Sequence, residues 1–238
     1  MKVFLDAGHG GSDPGAVSGG LVEKNMTLIC ANGAKNLLEK YGIDVKMSRT
    51  GDNSFSLYER ADMANAWGAD LFVSCHFNAG GGNRGEVIHS VFGGKGQILA
   101  QNIANELKNL GQENVRIYSK GATNGSGDYF TVIAKTNMPA VIVEPCFIDN
   151  DEDRVLADTE DKQYLVGVAI AKGILNFYGL SYAEDEFMEL NEINDIVYEL
   201  KIRGIISDTE LWLKKLSEDS NAYWLSKKAI DFIRRNGV

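Results

Sequence analysis

The chain has 238 residues, 44% apolar and 24% charged, enough for one domain of ordinary size with a small annex. Its formal charge of −9 excludes a broad phosphate-neutralising surface and electrostatic capture by anionic lipid, so neither nucleic acid nor membrane is an expected partner. A neutral or mixed-charge polymer stays compatible with that charge.

Over residues 1–180, short β-branched runs alternate with helical periodicity, which predicts an α/β domain. The expected fold is a mixed, mostly parallel twisted sheet flanked by helices. Val3–Asp6 reads as a strand that runs into a glycine-rich loop. Met26, Ile29, Cys30, Gly33, Leu37 and Tyr41 recur at helical spacing and predict a helix over Glu23–Lys40. Ile43–Met47 reads as a strand, Ser56–Trp67 as a helix, and Asp70–Cys75 and Glu86–Phe92 as further strands. Lys95–Asn109 is expected to be helical and Ala140–Glu144 a strand. A last helix, Lys162–Tyr178, follows a cap at Thr159.

Past Gly179 the character changes. Residues 183–238 hold twelve acidic and eight basic residues and two of the three tryptophans, Trp212 and Trp224. Leu190, Ile193, Val197 and Leu200 form one helical stripe, and Ser207 to Glu210 is a capping-box signature. A third stripe runs through Leu225, Ala229, Phe232 and Ile233. These features predict a small all-α C-terminal module that targets the protein or pairs it as a homo-oligomer. Cys30, Cys75 and Cys146 sit among apolar neighbours with no C-x-x-C spacing, so they read as buried free thiols from a reducing compartment. No charged leader with a long apolar stretch opens the sequence, which predicts synthesis in the cytosol without a signal peptide.

The chemistry gathers at strand ends, where catalytic groups of open α/β sheets collect. His9 follows the first strand in Asp6-Ala-Gly-His-Gly-Gly-Ser-Asp-Pro-Gly, and Glu23 opens the first helix. His76 closes Leu71-Phe-Val-Ser-Cys-His, and Glu144 closes Val141-Ile-Val-Glu. Two imidazoles and a carboxylate are a ligand set for catalytic zinc that leaves one position for water. A further carboxylate nearby can act as general base. Any one of these residues has an ordinary structural use: a helix-opening Glu complements the dipole. Glu144 is harder to explain that way, because an unpaired carboxylate at the end of an apolar strand is costly to bury.

These motifs resemble the zinc N-acetylmuramoyl-L-alanine amidases, cell-wall hydrolases found as bacterial autolysins, sporulation amidases and phage endolysins. The resemblance rests on the glycine-rich His9 loop, Glu23 fourteen residues later, Ser74-Cys-His-Phe-Asn-Ala79 and Val143-Glu-Pro-Cys-Phe147. Ser48-Arg-Thr-Gly-Asp52 and Leu57-Tyr-Glu-Arg60, running on to Ala64 and Asn65, extend it. It implies one zinc ion per chain held by His9, Glu23 and His76, with Glu144 as the catalytic glutamate. It also implies peptidoglycan as substrate, cut between N-acetylmuramic acid and L-alanine. An endolysin that reaches the wall after release is the expected setting. A sporulation or autolytic amidase of the same chemistry, another zinc hydrolase such as a carboxypeptidase, and a catalytically silent wall-binding protein are the alternatives.

The sequence departs from the family pattern in two places. Cys146 stands where the family usually has a small residue, and packing is its expected role. Gly85 and Glu86 are adjacent where the family tends to have Gly-x-Glu, so no substrate role is assigned to Glu86. His89 is expected to be exposed or structural, and Arg49 and Arg60 to be structural, with nearby carboxylates as available partners.

Overall fold

Lys2–Ala7 carries five buried residues in unbroken succession, a pattern that only a strand covered on both faces can sustain. It forms β1 at the heart of the computed structural model, which describes residues 1–182. After it come the two short strands β2 (Val17–Ser18) and β3 (Leu21–Val22), which pair as a hairpin, and α1 (Glu23–Lys40). Next are β4 (Asp44–Met47), α2 (Leu57–Trp67), β5 (Leu71–Cys75), β6 (Gly85–His89) and α3 (Lys95–Asn109). The chain continues through β7 (Val115–Ser119), α4 (Thr131–Lys135), β8 (Ala140–Glu144), a 3-10 turn over Asp153–Leu156, and α5 (Glu160–Phe177). These described elements form a single compact unit over Met1–Ser181. The helical module expected over 183–238 lies outside the described residues.

The six-stranded sheet has the order β4-β1-β5-β8-β6-β7. The first four of these strands run parallel, β6 pairs antiparallel with β8, and β7 runs parallel to β6. The expected mixed, mostly parallel sheet is therefore the observed one. On one face, α1, α3 and α5 pack closely. A methyl group on Gly167 of α5 would strike the Cys30 carbonyl of α1, so glycine there lets the two helix backbones touch. On the other face, α2 and α4 cover a cluster that includes Phe4, Phe72, Ile88, Ile133 and Ile142, in which the Phe4 and Phe72 rings stack at 5.7 Å.

Within residues 1–182 the expected helices hold. Ser56 caps α2 in a reciprocal capping box with Glu59, and Thr159 caps α5. β6 stops at His89, short of the expected Phe92. Its continuation is turned away by Gly93 and Gly94 at positive φ, and Asp128 binds the Ser90 hydroxyl and the Val91 amide.

Candidate metal centre

Glu23 is the first residue of α1 and is buried. Its carboxylate is shared out atom by atom. Oε2 accepts from the Ala16 amide at 2.8 Å and lies 3.1 Å from His9 Nε2. Oε1 accepts from the Phe77 amide at 2.9 Å and lies 3.0 Å from His76 Nδ1. Backbone amides from two loops thus hold the carboxylate in one rotamer, and Gly15 leaves room for it. A Cβ on Gly15 would sit 2.5 Å from Glu23 Oε2 and 2.7 Å from the His9 ring.

His9 has a φ of 59°, a left-handed conformation that non-glycine residues seldom hold. The surroundings impose it. Gly10 and Asp13 exchange backbone hydrogen bonds at 3.0 and 3.1 Å to close the loop, and Arg60 Nη2 donates to the His9 carbonyl at 2.7 Å. Asp13 Oδ2 lies 2.8 Å from His9 Nδ1, which orients the ring and leaves Nε2 toward Glu23. His76 follows β5 directly, with its amide donating to the Val143 carbonyl. Its ring packs over Gly8, edge-on to His9 at 4.8 Å between centroids.

Below this loop sits a buried ion pair. Arg60 Nη1 donates to Asp6 Oδ1 at 2.6 Å, and Ser74 donates to Asp6 Oδ2 at 2.7 Å. Burial opposes ionisation of Asp6, but Arg60 and the hydrogen bonds outweigh it and hold its pKa below the usual value. Arg60 therefore pairs with a carboxylate as expected. Arg49 donates to the carbonyls of Ala7, Gly8, Lys24 and Gly51 and so ties the His9 loop to α1.

The electrostatics of the metal-free cluster follow from these contacts. For His9, burial works against the charged ring, yet Glu23 and then Asp13 outweigh it and push the pKa up to about 9. His76 is raised in the same way, by Glu23 and by the charge of Glu144. Burial would lift Glu23, but the two histidines drive it far below the usual carboxylate range. Protons on the rings here stand in for a cation. Each of the three residues offers one ligand atom, and all three atoms lie within 4.8 Å of one another. Two imidazole nitrogens and one anionic oxygen at that spacing fit a divalent zinc ion with an open position.

Glu144 ends β8, beside His76. The residue is part-exposed, but its Oε2 is shut off from solvent and has no hydrogen-bond partner. Burial, opposed by His76 and reinforced by Glu23 and Glu86, pushes its pKa up to about 7. One oxygen of this carboxylate is thus buried without a partner beside the ligand cluster, a desolvation that no contact of its own offsets.

The four residues singled out from the sequence are thus brought together. Glu86, left without a role above, lies directly across the β6–β8 ladder from Glu144. His89 is buried, with Nδ1 2.8 Å from the Ser90 carbonyl, a structural position. Cys146 is fully buried, and burial followed by the charges of Asp153 and Glu144 pushes its thiol well up, which suits packing. Asp13 escaped the sequence reading, although its place four residues after His9 was a usable signal.

The profile of the family described as N-acetylmuramoyl-L-alanine amidase matches residues 3–176. The chain is 40% identical over 156 residues to the N-acetylmuramoyl-L-alanine amidase CwlM of Bacillus licheniformis, covering 64% of this chain and 59% of that protein. It is 34% identical over 187 residues to the endolysin of Bacillus phage SPP1, covering 75% and 66% respectively. The chain thus spans less than two-thirds of either relative's own length. Among solved structures, it is similar to the N-acetylmuramoyl-L-alanine amidase AmiC2 of Nostoc punctiforme, with a TM-score of 0.67 and 28% identity over 75% of this chain and 97% of that one.

Proposed function

The chain belongs to the N-acetylmuramoyl-L-alanine amidase family, and from that premise we propose that it hydrolyses the amide between N-acetylmuramic acid and L-alanine in peptidoglycan. His9, Glu23 and His76 hold one zinc ion, and Glu144 is the general base. The observation that carries the reading is the pairing of a compact donor set with an orphaned carboxylate: three ligand atoms within 4.8 Å, beside the buried and unpartnered Glu144 Oε2.

Bound zinc supplies a Lewis acid and brings the pKa of water to about 7. The remaining work falls to the protein. Asp13 fixes the His9 tautomer, so that Nε2 is the free nitrogen. The Ala16 and Phe77 amides keep the Glu23 carboxylate from swinging. Glu144 takes the proton of the attacking water and returns it to the departing amine of L-alanine.

We assign the enzyme an endolysin's role, acting on the wall after release. The 34% identity to the endolysin of Bacillus phage SPP1 over 187 residues is compatible with that role. The test of the chemistry is the set of new end groups in digested purified wall. New L-alanine amino termini without new reducing sugars, abolished by chelation and restored by zinc, are the expected result. New reducing ends would show a glycosidase instead and overturn the assignment.

A further inference from the structure

From the candidate centre a row of residues continues across the edge of the sheet. Glu144 stands opposite Glu86 in the antiparallel β8–β6 ladder, and Glu86 stands opposite Arg116 in the parallel β6–β7 ladder. Residues paired in this way put their side chains on one face. The row therefore leads from the reaction centre toward the β7 edge. Adjacent strands lie about 4.8 Å apart, which sets the Arg116 backbone roughly 10 Å from that of Glu144.

Glu86 is the pivot of this row. Its carboxylate, 6% exposed, receives Arg84 Nε and Nη2, both at 2.7 Å, and Asn78 Nδ2 at 3.1 Å. Arg116 Nη1 lies 3.8 Å away, and the Tyr118 hydroxyl 3.4 Å. One buried negative charge thus collects two guanidinium groups, and the cluster keeps a net positive charge. The arginine side chains remain in contact with water, Arg84 at 38% and Arg116 at 58% exposure. Both are braced on aromatic rings, Arg116 over Tyr118 at 4.3 Å and Arg84 over Phe147 at 4.9 Å. A single partner would satisfy Glu86, and an exposed ion pair adds little stability. Two held, wetted cations beside the reaction centre of a chain with charge −9 call for an anion.

We propose that Arg84 and Arg116 form a subsite for a carboxylate of the stem peptide, on the leaving-amine side of the scissile bond. The inference rests on the amidase reading above. The substrate's charge distribution chooses the side. N-acetylated sugars are neutral, and muramic acid spends its own carboxyl in the amide that is cut, so the negative charge lies in the peptide. An extended peptide advances about 3.3–3.6 Å per residue. The isoglutamate carboxylate next to L-alanine therefore falls within the span of the row and the reach of the two side chains.

The test uses the zinc-loaded full chain and two soluble probes, N-acetylmuramoyl-L-alanyl-D-isoglutamate with its γ-carboxyl capped as a methylamide and the same compound with its α-carboxylate amidated as well. Wild type should prefer the acid roughly threefold to tenfold in kcat/KM, chiefly through KM, as for a solvent-screened charge contact. Arg116→Gln should lower turnover of the acid more than of the amide and bring the ratio near one. Arg116→Lys should recover part of the preference. Arg116 is the variant of choice because its exposure spares the fold, which an unchanged Tm verifies. Equal use of both probes by wild type, or a variant that slows both in proportion, overturns the subsite while leaving the amidase reading intact. If the short probes turn over too slowly, calorimetric binding of the two corresponding dipeptides supplies the same comparison. Failure to cleave either probe or purified wall overturns the amidase reading and the subsite with it.

Discussion

Replacing Glu144 with Gln should make the metal-free protein more stable, and only at the alkaline end of its range. The pKa of this carboxyl moves from an ordinary 4.5 to about 7 on folding, first because it is buried. Below pH 4.5 the group is protonated in both the folded and unfolded chains and contributes nothing. Between 4.5 and 7 the folded chain keeps a proton that the unfolded chain has lost, so stability falls as pH rises. Above 7 the whole cost of an ionised carboxylate with an unpartnered oxygen is present. The shift corresponds to about 3 kcal/mol, an upper figure because water entering the site relaxes it. Glutamine is nearly isosteric and never ionises. Glu144→Gln should therefore match wild type at about pH 4 and melt about 6–12 °C higher at about pH 8. Thermal melts of both chelator-treated proteins, followed by circular dichroism, measure the difference. His9 adds its own slope, since stability from its raised pKa is present below 6.5 and lost as pH passes about 9, but it does so in both proteins. A melting difference that is the same at the two pH values would refute the reasoning, because Glu144 would then have a partner that compensates its charge. The same variant, loaded with zinc, should lose wall hydrolysis by on the order of a hundredfold or more.

Zinc rebinding near neutral pH should release protons, because His9 carries one up to about pH 9 and a ligand imidazole must be neutral. Calorimetric titration in two buffers of different ionisation enthalpy reads this directly, and a heat independent of buffer would contradict it. Arg60→Leu leaves Asp6 buried without its cation and frees the Ala7 and His9 carbonyls. It should cost about 3–5 kcal/mol in urea unfolding, and an unfolding midpoint equal to wild type would count against a structural role for the pair. Cys146→Ala should lose about 1 kcal/mol of stability and keep most activity, and an inactive variant that still binds zinc would show that the thiol does more than pack.

Local periodicity and capping chemistry determined much of this protein in advance. Glu23–Lys40 was legible at both ends because its apolar residues recur at helical spacing, and the helix forms over that range. Thr159 announced the start of α5 through a capping contact that spans only three residues, whereas the capping box of Ser56 with Glu59 that opens α2 was not read as one. The buried β-branched run Val141 to Val143 announced β8 in the same local way. The His9, Glu23, His76 and Glu144 quartet could be read because few residue types perform this chemistry and the chain holds only three histidines. What stayed hidden depends on partners far along the chain. β7 is an edge strand, largely half-buried, and α4 has only five residues, so neither carries a strong burial period. The reversed direction of β6 has no signature in its composition, because alternation reads the same from either end. Register, in turn, set Glu86 between Glu144 and Arg116 and set Arg60 under the His9 loop. Those contacts join residues some 30 to 60 positions apart, so packing of the whole sheet decides them and no local pattern records them.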